Sequence, residues 1–465
     1  MELLNDNPTK DDKYGFNNYA TYFSQAIIDT KDLPFLMGIY GAWGSGKSSL
    51  MLLVQERLKN DGIKCIWFNP WKYDNKEDLW SALIQSILYK IADESPNKEL
   101  VKKVKKLAGK VAWNFMKTGI STLTQGVITG KNLDNVKDTL MKENEEKIQY
   151  INHFEKSFED AINDYTNGKK LVIFIDDLDR CSPDNAITVL ESLKLFIGEA
   201  NCVFLLGMDH QIIEQGIQYK YGGKINLSGR EYLDKIIQAP FFIPPIPFNK
   251  LKDSVKHALK DEISESKPLW DLISTAFRDN PRKTKRFINS YNFVLQIVEH
   301  YEKFDDDIID NLLLDFSDDS DITQDFFLAY LLIIQLLFPN FYEFIKNSRD
   351  FGSGLMKLVD NDSIQTEFKS SIELHEYKQL EEIAENSDLI DFLREANIII
   401  NENNLFYPTN EQIIALINTI NLVSRSDSAT TTTTTTINPD SSGSGSGSMS
   451  GKIEGKSSVS GSLKG

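Results

Sequence analysis

One octapeptide constrains this chain more than any other feature. Gly41-Ala42-Trp43-Gly44-Ser45-Gly46-Lys47-Ser48 fits the pattern GxxxxGK[ST]. An apolar run at 34–40, PFLMGIY, precedes it, and a helical pattern over 47–60 follows, ended by Asn60-Asp61-Gly62. Strand, glycine loop and helix in that order are the setting that phosphate binding requires. Glycines at 41, 44 and 46 let successive N–H groups curl inward at a helix N-terminus, whose partial positive charge favours an anion. Gly41 to Ser48, with Ser49 beside them, are therefore candidate ATP-binding residues. Lys47 is placed to reach the β- and γ-phosphates, and the Ser48 hydroxyl to ligate Mg²⁺. The alternative for the bare pattern is a chance glycine turn.

A second element, LVIFIDDLDR at 171–180, is an apolar strand that ends in carboxylates. In a parallel sheet these emerge at the C-terminal edge, where ligands bind. Hard cations take oxygen ligands, so Asp176 is the candidate to hold Mg²⁺ through water, and Asp177 the candidate to orient or deprotonate the attacking water. Taken alone the decapeptide also reads as an acidic turn after a buried strand. Asp179 and Arg180 are left open, because an aspartate and an arginine three apart also make an ordinary surface pair.

Around these motifs the chain reads as a doubly wound α/β core. Strand patterns at 34–40, 64–69, 171–176 and 202–209 alternate with helical ones, and continuous apolar runs suit strands buried on both faces. A helix at 15–31 leads into the first strand, and mostly charged helices form an insertion over about 92–166. After Pro240 the segment FFIPPIPF, with three prolines, suits neither a central strand nor a helix and is taken as a hinge. From 251 to 423 the apolar residues keep helical spacing. The expected division is a P-loop α/β domain over 1–240, an all-helical region over 241–423 with a lid at about 250–300, and a tail over 424–465. That tail carries seven consecutive threonines and a Gly/Ser run resembling an expression linker, and it is expected to be disordered.

Composition sets limits on partners. With 465 residues and 41% hydrophobic content the chain can bury a sizeable core. A formal charge of −17 disfavours non-specific binding to nucleic acid or anionic lipid by the molecule as a whole. Cys65, Cys181 and Cys202 show no metal or disulfide spacing, the N-terminus lacks signal-peptide order, and no apolar run reaches the length of a span. A cytoplasmic protein is the expectation. One local exception is 98–117, with seven lysines against Glu99, followed by an apolar stretch at 111–128. It reads either as a basic helix lying on the inner face of an anionic membrane or as a solvated lysine face on a helix packed against the core.

Four stretches together resemble the KAP family of P-loop NTPases, an additional-strand branch similar to AAA-type and STAND ATPases: GIYGAWGSGKSSLM at 38–51, FNPWKYDNKEDLW at 68–80, FIDDLDRCSPDNAITVLESLKLF at 174–196 and NPRKTKRFIN at 280–289. The likeness runs over about 15–300. It implies an ATPase using Mg²⁺, with Lys47 and Asp177 catalytic, and a sensor strand ending at Asp209 that monitors the γ-phosphate. NPRKTKRFIN then belongs to a lid whose Arg282 and Arg286 reach nucleotide phosphate, or else forms a solvated basic face. Arg230 reads as an arginine finger for a neighbouring subunit or, more plainly, as a helix-cap partner. Many relatives insert transmembrane helices between the two motifs, and no full span is present here. The resemblance also suggests a bacterial, phage-defence setting, in which nucleotide state drives a conformational change or homo-oligomer assembly, with a protein partner on the helical region. A scaffold that binds ATP with little turnover is the other reading, and a nucleic-acid motor is disfavoured.

Overall fold

A computed structural model describes residues 3–73, 79–118, 153–154, 156–196, 201–221, 228–304, 321–348, 355–356 and 374–423. The tail over 424–465, most of the insertion between 119 and 152, and the apolar stretch at 119–128 lie outside the described residues. Met1–Val423 form one compact unit.

The phosphate-loop signature behaves as its sequence demands. Strand β1 (Phe35–Tyr40) is buried along nearly its whole length, and helix α2 (Lys47–Asn60) starts directly after the glycine turn. Helix α1 (Phe16–Asp29) precedes them and packs on α2, with Phe16, Ala20, Phe23 and Ile27 on the buried face at the expected three- and four-residue spacing. Strands β2 (Lys64–Phe68), β3 (Leu171–Ile175), β4 (Cys202–Met208) and β5 (Ala239–Phe242) complete one sheet, with helices α3 (Leu79–Glu94), α4 (Lys98–Thr118), α5 (Pro183–Phe196), α6 (His210–Tyr221) and α7 (Gly229–Asp234) between them. All pairings are parallel, in the order β2-β3-β4-β1-β5. Every residue of β3 and β4 is buried, as continuous apolar runs with helices on both faces require.

Strand β3 is not the neighbour of β1: β4 lies between them, so the acids and the glycine loop are brought together across an intervening strand. The segment FFIPPIPF, taken as a hinge, begins within a strand: its Phe241 and Phe242 close β5, in which Pro240 also lies. The strand is at the sheet edge, where a missing N–H costs no ladder bond.

Beyond β5 the described residues are helical. They include α8 (Phe248–Val255), α9 (Lys267–Phe277), α10 (Pro281–Phe304), α11 (Asp321–Leu337), α12 (Pro339–Asn347), α13 (Leu374–Ala384), α14 (Ser387–Glu402) and α15 (Asn410–Val423), with two short helical turns between α8 and α9. They enclose their own core, in which Trp270, Phe287, Tyr291, Phe326, Tyr330 and Phe341 are almost fully buried.

Helix α4 settles part of the lysine-rich question. Its apolar positions Leu100, Val104, Leu107 and Ala108 are buried in the core that α3 shares, while Lys102, Lys103, Lys105 and Lys106 are exposed. Over these residues the apolar face is covered by protein, as a solvated lysine face requires.

Candidate functional site

The site lies at the C-terminal edge of β1, β3 and β4. The loop between β1 and α2 takes left-handed backbone at Gly44 and Gly46, with φ of 87° and 99°. Space is short there as well. A Cβ on Gly46 would lie 2.4 Å from the ring of Phe16, and one on Gly44 would lie 2.5 Å from Cβ of Arg282 and 2.6 Å from Oδ1 of Asn280. The loop is therefore clamped by α1 on one side and by the start of α10 on the other.

Lys47 is 9% exposed and donates through Nζ to the carbonyls of Gly41 at 2.8 Å and Ala42 at 3.2 Å. Ser48 hydrogen-bonds the Asp176 side chain. Asp176 is 5% exposed, and its Oδ1 has no hydrogen-bond partner among the described residues; Ser45 Oγ and Asn69 Oδ1 are orphaned in the same way. Buried oxygens without donors are uncommon and call for a bound water, ion or polar ligand. Burial pushes the Asp176 carboxyl up to about 6; the Ser48 bond opposes the rise, the Asp177 charge adds to it and Lys47 again opposes. Gly207, in β4 between the two motif strands, makes this proximity possible, since a Cβ there would lie 2.6 Å from Met51 Sδ and 2.9 Å from Asp176 Oδ1.

Asp177 adopts φ 61°, a left-handed turn that aspartate tolerates better than most residues. Both of its carboxylate oxygens are engaged: Oδ1 is 2.7 Å from Arg180 Nε, and Oδ2 accepts from Asn69 Nδ2 at 2.8 Å. The guanidinium of Arg180 lies over exposed Trp71, 5.3 Å from the ring centroid. Asn69 and Trp71 both come from the FNPWKY stretch, so this motif holds the acidic turn. Its tryptophan was visible in the sequence, but no periodicity assigns it a partner 109 positions away, Trp71 to Arg180.

The structure separates Asp179 and Arg180, which the sequence leaves open. The pair three apart is Asp177 with Arg180, whereas Asp179 is 4% exposed and turned inward. Its Oδ2 accepts from Trp43 Nε1 at 2.8 Å and from the Asp209 backbone amide at 2.8 Å, and lies 3.7 Å from Lys47 Nζ. Asp209 itself uses its carboxylate at the start of α6, where Oδ1 accepts from the Gln211 amide. Arg230 is exposed on α7, and the cap of that helix is a box formed by Ser228 and Glu231, not by the arginine.

The basic start of α10 reaches the loop through its cap. Asn280 accepts from the Lys283 amide, the geometry of an N-cap followed by Pro281, and its Nδ2 donates to the Trp43 carbonyl at 2.9 Å. Arg282 Nε lies 3.1 Å and Arg286 Nη2 3.4 Å from Asp6 Oδ2, in an N-terminal segment that carries no motif or periodicity to single it out. That segment bridges the two halves of the site. Leu4 exchanges hydrogen bonds with the Asn289 side chain, Lys285 donates to the Asn5 carbonyl, the Thr9 amide donates to Ser49 Oγ, and Lys10 pairs with Glu56. Asp6, Asp12, Trp43, Lys47, Ser48, Asp177 and Arg282 all line one cleft. Burial raises the Asp12 carboxyl, but the backbone amides of Tyr14, Gly15, Phe16 and Asn17 outweigh it and hold it below the usual value.

A glycine loop on β1, acids at the end of β3 and a strand inserted between the two define a P-loop nucleotide-binding domain of the additional-strand kind. Residues 16–298 match the KAP family P-loop domain, and the chain belongs to the KAP family. It is 26% identical over 340 residues to the phage T7 exclusion protein of Escherichia coli, covering 64% of this chain and 43% of that protein. It thus spans less than half the length of that relative. An uncharacterized protein of Methanocaldococcus jannaschii is 32% identical over 169 residues, covering 30% of this chain and 86% of that protein. Among solved structures, the Aeropyrum pernix ORC2 protein aligns with 14% identity and a TM-score of 0.34, covering 88% of this chain and 94% of that one. The Aeropyrum pernix ORC1 protein in complex with DNA aligns with 11% identity and a TM-score of 0.32, covering 90% and 93%.

The pH behaviour of Asp176 has a definite sign. With its pKa raised in the fold, ionising it costs nothing below the ordinary carboxylate value of 3.8, and the cost grows as pH rises through about 6. At the higher end it amounts to about 3 kcal/mol at most. In metal-free buffer Asp176→Asn is expected to be more stable than wild type at about pH 8, by about 1–3 kcal/mol in urea unfolding, with the gain shrinking as pH falls. A gain of the same size at about pH 4.5 contradicts this account.

Proposed function

We propose that this chain binds ATP with Mg²⁺ at the Gly41–Ser48 loop and hydrolyses it, the nucleotide state altering how the helical region meets the α/β core. The observation that carries the reading is the orphaned Asp176 Oδ1 beside the Ser48 hydroxyl, next to the buried ammonium of Lys47. Among the described residues no cluster of three or more His, Cys, Asp or Glu is arranged to hold a metal by itself. One carboxylate and one hydroxyl suit Mg²⁺ nonetheless, because it keeps several waters and takes further ligands from substrate phosphates. When bound, the ion would neutralise charge on the β- and γ-phosphate oxygens. In this reading the amides of 41–48 and Lys47 orient the triphosphate, Ser48 and Asp176 hold the metal, and Asp177 orients or deprotonates the attacking water. Asp209, through the amide that it gives to Asp179, relates the end of β4 to the loop. Arg282 and Arg286 answer to phosphate from the lid, where Asp6 now pairs with both.

A second reading, an ATP-bound scaffold with little turnover, rests on Asp177. With Arg180 on one oxygen and Asn69 on the other, its carboxylate must exchange a partner before it can take a proton from water. Homo-oligomer assembly and a protein partner on the helical region belong to both readings. Lysines exposed on α4 support contact with an anionic surface at most by charge over Lys98–Ala108, where the apolar positions Leu100, Val104, Leu107 and Ala108 are internal. No helix among the described residues is long and apolar enough to cross a membrane.

Lys47→Ala is expected to abolish binding of fluorescent ATP analogues in titration, whichever reading holds. Asp177→Asn should retain that binding and lose single-turnover phosphate release by about 100-fold or more. Release by the variant equal to a measurable wild-type rate removes Asp177 from the mechanism, and negligible release by both proteins leaves the scaffold reading standing. The name of the E. coli relative motivates a biological counterpart. Cells expressing the wild-type chain should plate phage T7-like viruses poorly, and cells expressing Lys47→Ala normally. Normal plating on both sets the phage proposal aside without touching the chemistry.

A further inference from the structure

Three groups from separate parts of the chain meet at one oxygen. Asp179 Oδ2 takes the indole N–H of Trp43 from the phosphate loop and the backbone amide of Asp209 from the end of β4, both at 2.8 Å, and it is the carboxylate oxygen paired with Lys47 Nζ, at 3.7 Å. The Asp179 side chain is 2% exposed and that of Lys47 is 9% exposed, so solvent screens their attraction little. A loop tryptophan that is itself 50% exposed would otherwise be free to change rotamer; its Nε1 is fixed instead, and its carbonyl is taken by Asn280 of the lid.

We propose that Asp179 is a positioning residue that lowers nucleotide affinity by competing with phosphate for Lys47, while its hydrogen bonds fix Trp43 and the end of β4. The two effects come from different properties of one carboxylate. Its charge holds the ammonium back among the Gly41 and Ala42 carbonyls, and a phosphate that draws Lys47 outward must overcome that attraction. Its capacity to accept hydrogen bonds holds Trp43 and Asp209, and a neutral amide oxygen has the same capacity. The affinity half rests on the nucleotide reading above; the Trp43 half does not.

Asp179→Asn removes the charge and keeps an acceptor, so the two effects separate. ADP is the probe, since it fills the phosphate site without turnover. Calorimetric titration should show Asp179→Asn binding ADP at least about threefold more tightly than wild type, where a merely structural aspartate would weaken binding on replacement. In protein carrying 5-fluorotryptophan, the Trp43 resonance is identified by its loss in Trp43→Phe. Without nucleotide it should keep its wild-type position in Asp179→Asn and move in Asp179→Ala. Equal or weaker ADP binding by Asp179→Asn overturns the proposal, as does a Trp43 resonance that moves in the Asn variant or stays in the Ala variant. If Asp179→Ala does not fold, the Asn variant decides through both readouts. If wild type binds no ADP, the nucleotide reading is what fails, and the fluorine resonance still decides whether Asp179 holds Trp43.

Discussion

A buried ammonium must be surrounded by acceptors, and that requirement at Lys47 organises the whole sheet edge. The lysine is fixed by the motif at the first residue of α2, so the acceptors have to come to it. Two are carbonyls of its own loop, available because the glycine turn curls back over the helix start. The counter-charge is Asp179, delivered from the other motif by the left-handed turn at Asp177 and the tight turn over Leu178–Arg180. Strand β4 stands between the donor strand and the acceptor strand, and its last residues supply both the room, at Gly207, and a third ligand for the aspartate, at the Asp209 amide.

Seen this way, the four carboxylates near the loop are distinct chemical groups. Asp176 is buried with one orphaned oxygen and a raised pKa, which suits an ion or water. Asp177 is paired on both oxygens and must be released to act. Asp179 is buried and gives its Oδ2 to Trp43, to the Asp209 amide and to Lys47, while Asp209 caps α6. Three of these aspartates follow β3 and the fourth follows β4, and the turn geometry shows which partners each one takes.

Legibility follows from range. The strands at 35–40, 171–175 and 202–208 and the helix at 47–60 are readable because hydrophobic period and a local motif agree within each segment. Asp176 beside Ser48 is readable too, because the two motifs have a known mutual geometry. Side-chain partners across long separations have no such signal. Asp179 with Trp43 spans 136 positions, Asn69 with Asp177 spans 108, and Asn280 with the Trp43 carbonyl spans 237. The local pattern leaves Asp179 open, and burial is the property that a local reading of a charged tetrapeptide cannot supply. The N-terminal segment was invisible for a related reason: its contacts are mostly single hydrogen bonds to backbone and surface groups, which leave no periodicity.

Helix α10 shows the same logic working in the opposite direction. Arg282, Lys283, Lys285 and Arg286 crowd its first turns, where the helix dipole already places positive charge, an arrangement that is unfavourable unless an anion is near. Asp6 supplies one, and the Asn5 carbonyl takes Lys285. A single carboxylate for two arginines leaves the cluster electrostatically unsatisfied, with Arg286 still mostly exposed. Phosphate, carrying more charge and more acceptor oxygens than one carboxylate, is the better partner for such a cluster. Because Asn280 ties the same helix end to the loop that cradles phosphate, any anion drawn to these arginines acts on the loop and the lid together. The chain's acidic balance therefore does not describe the first turns of α10, where four basic side chains stand against one carboxylate.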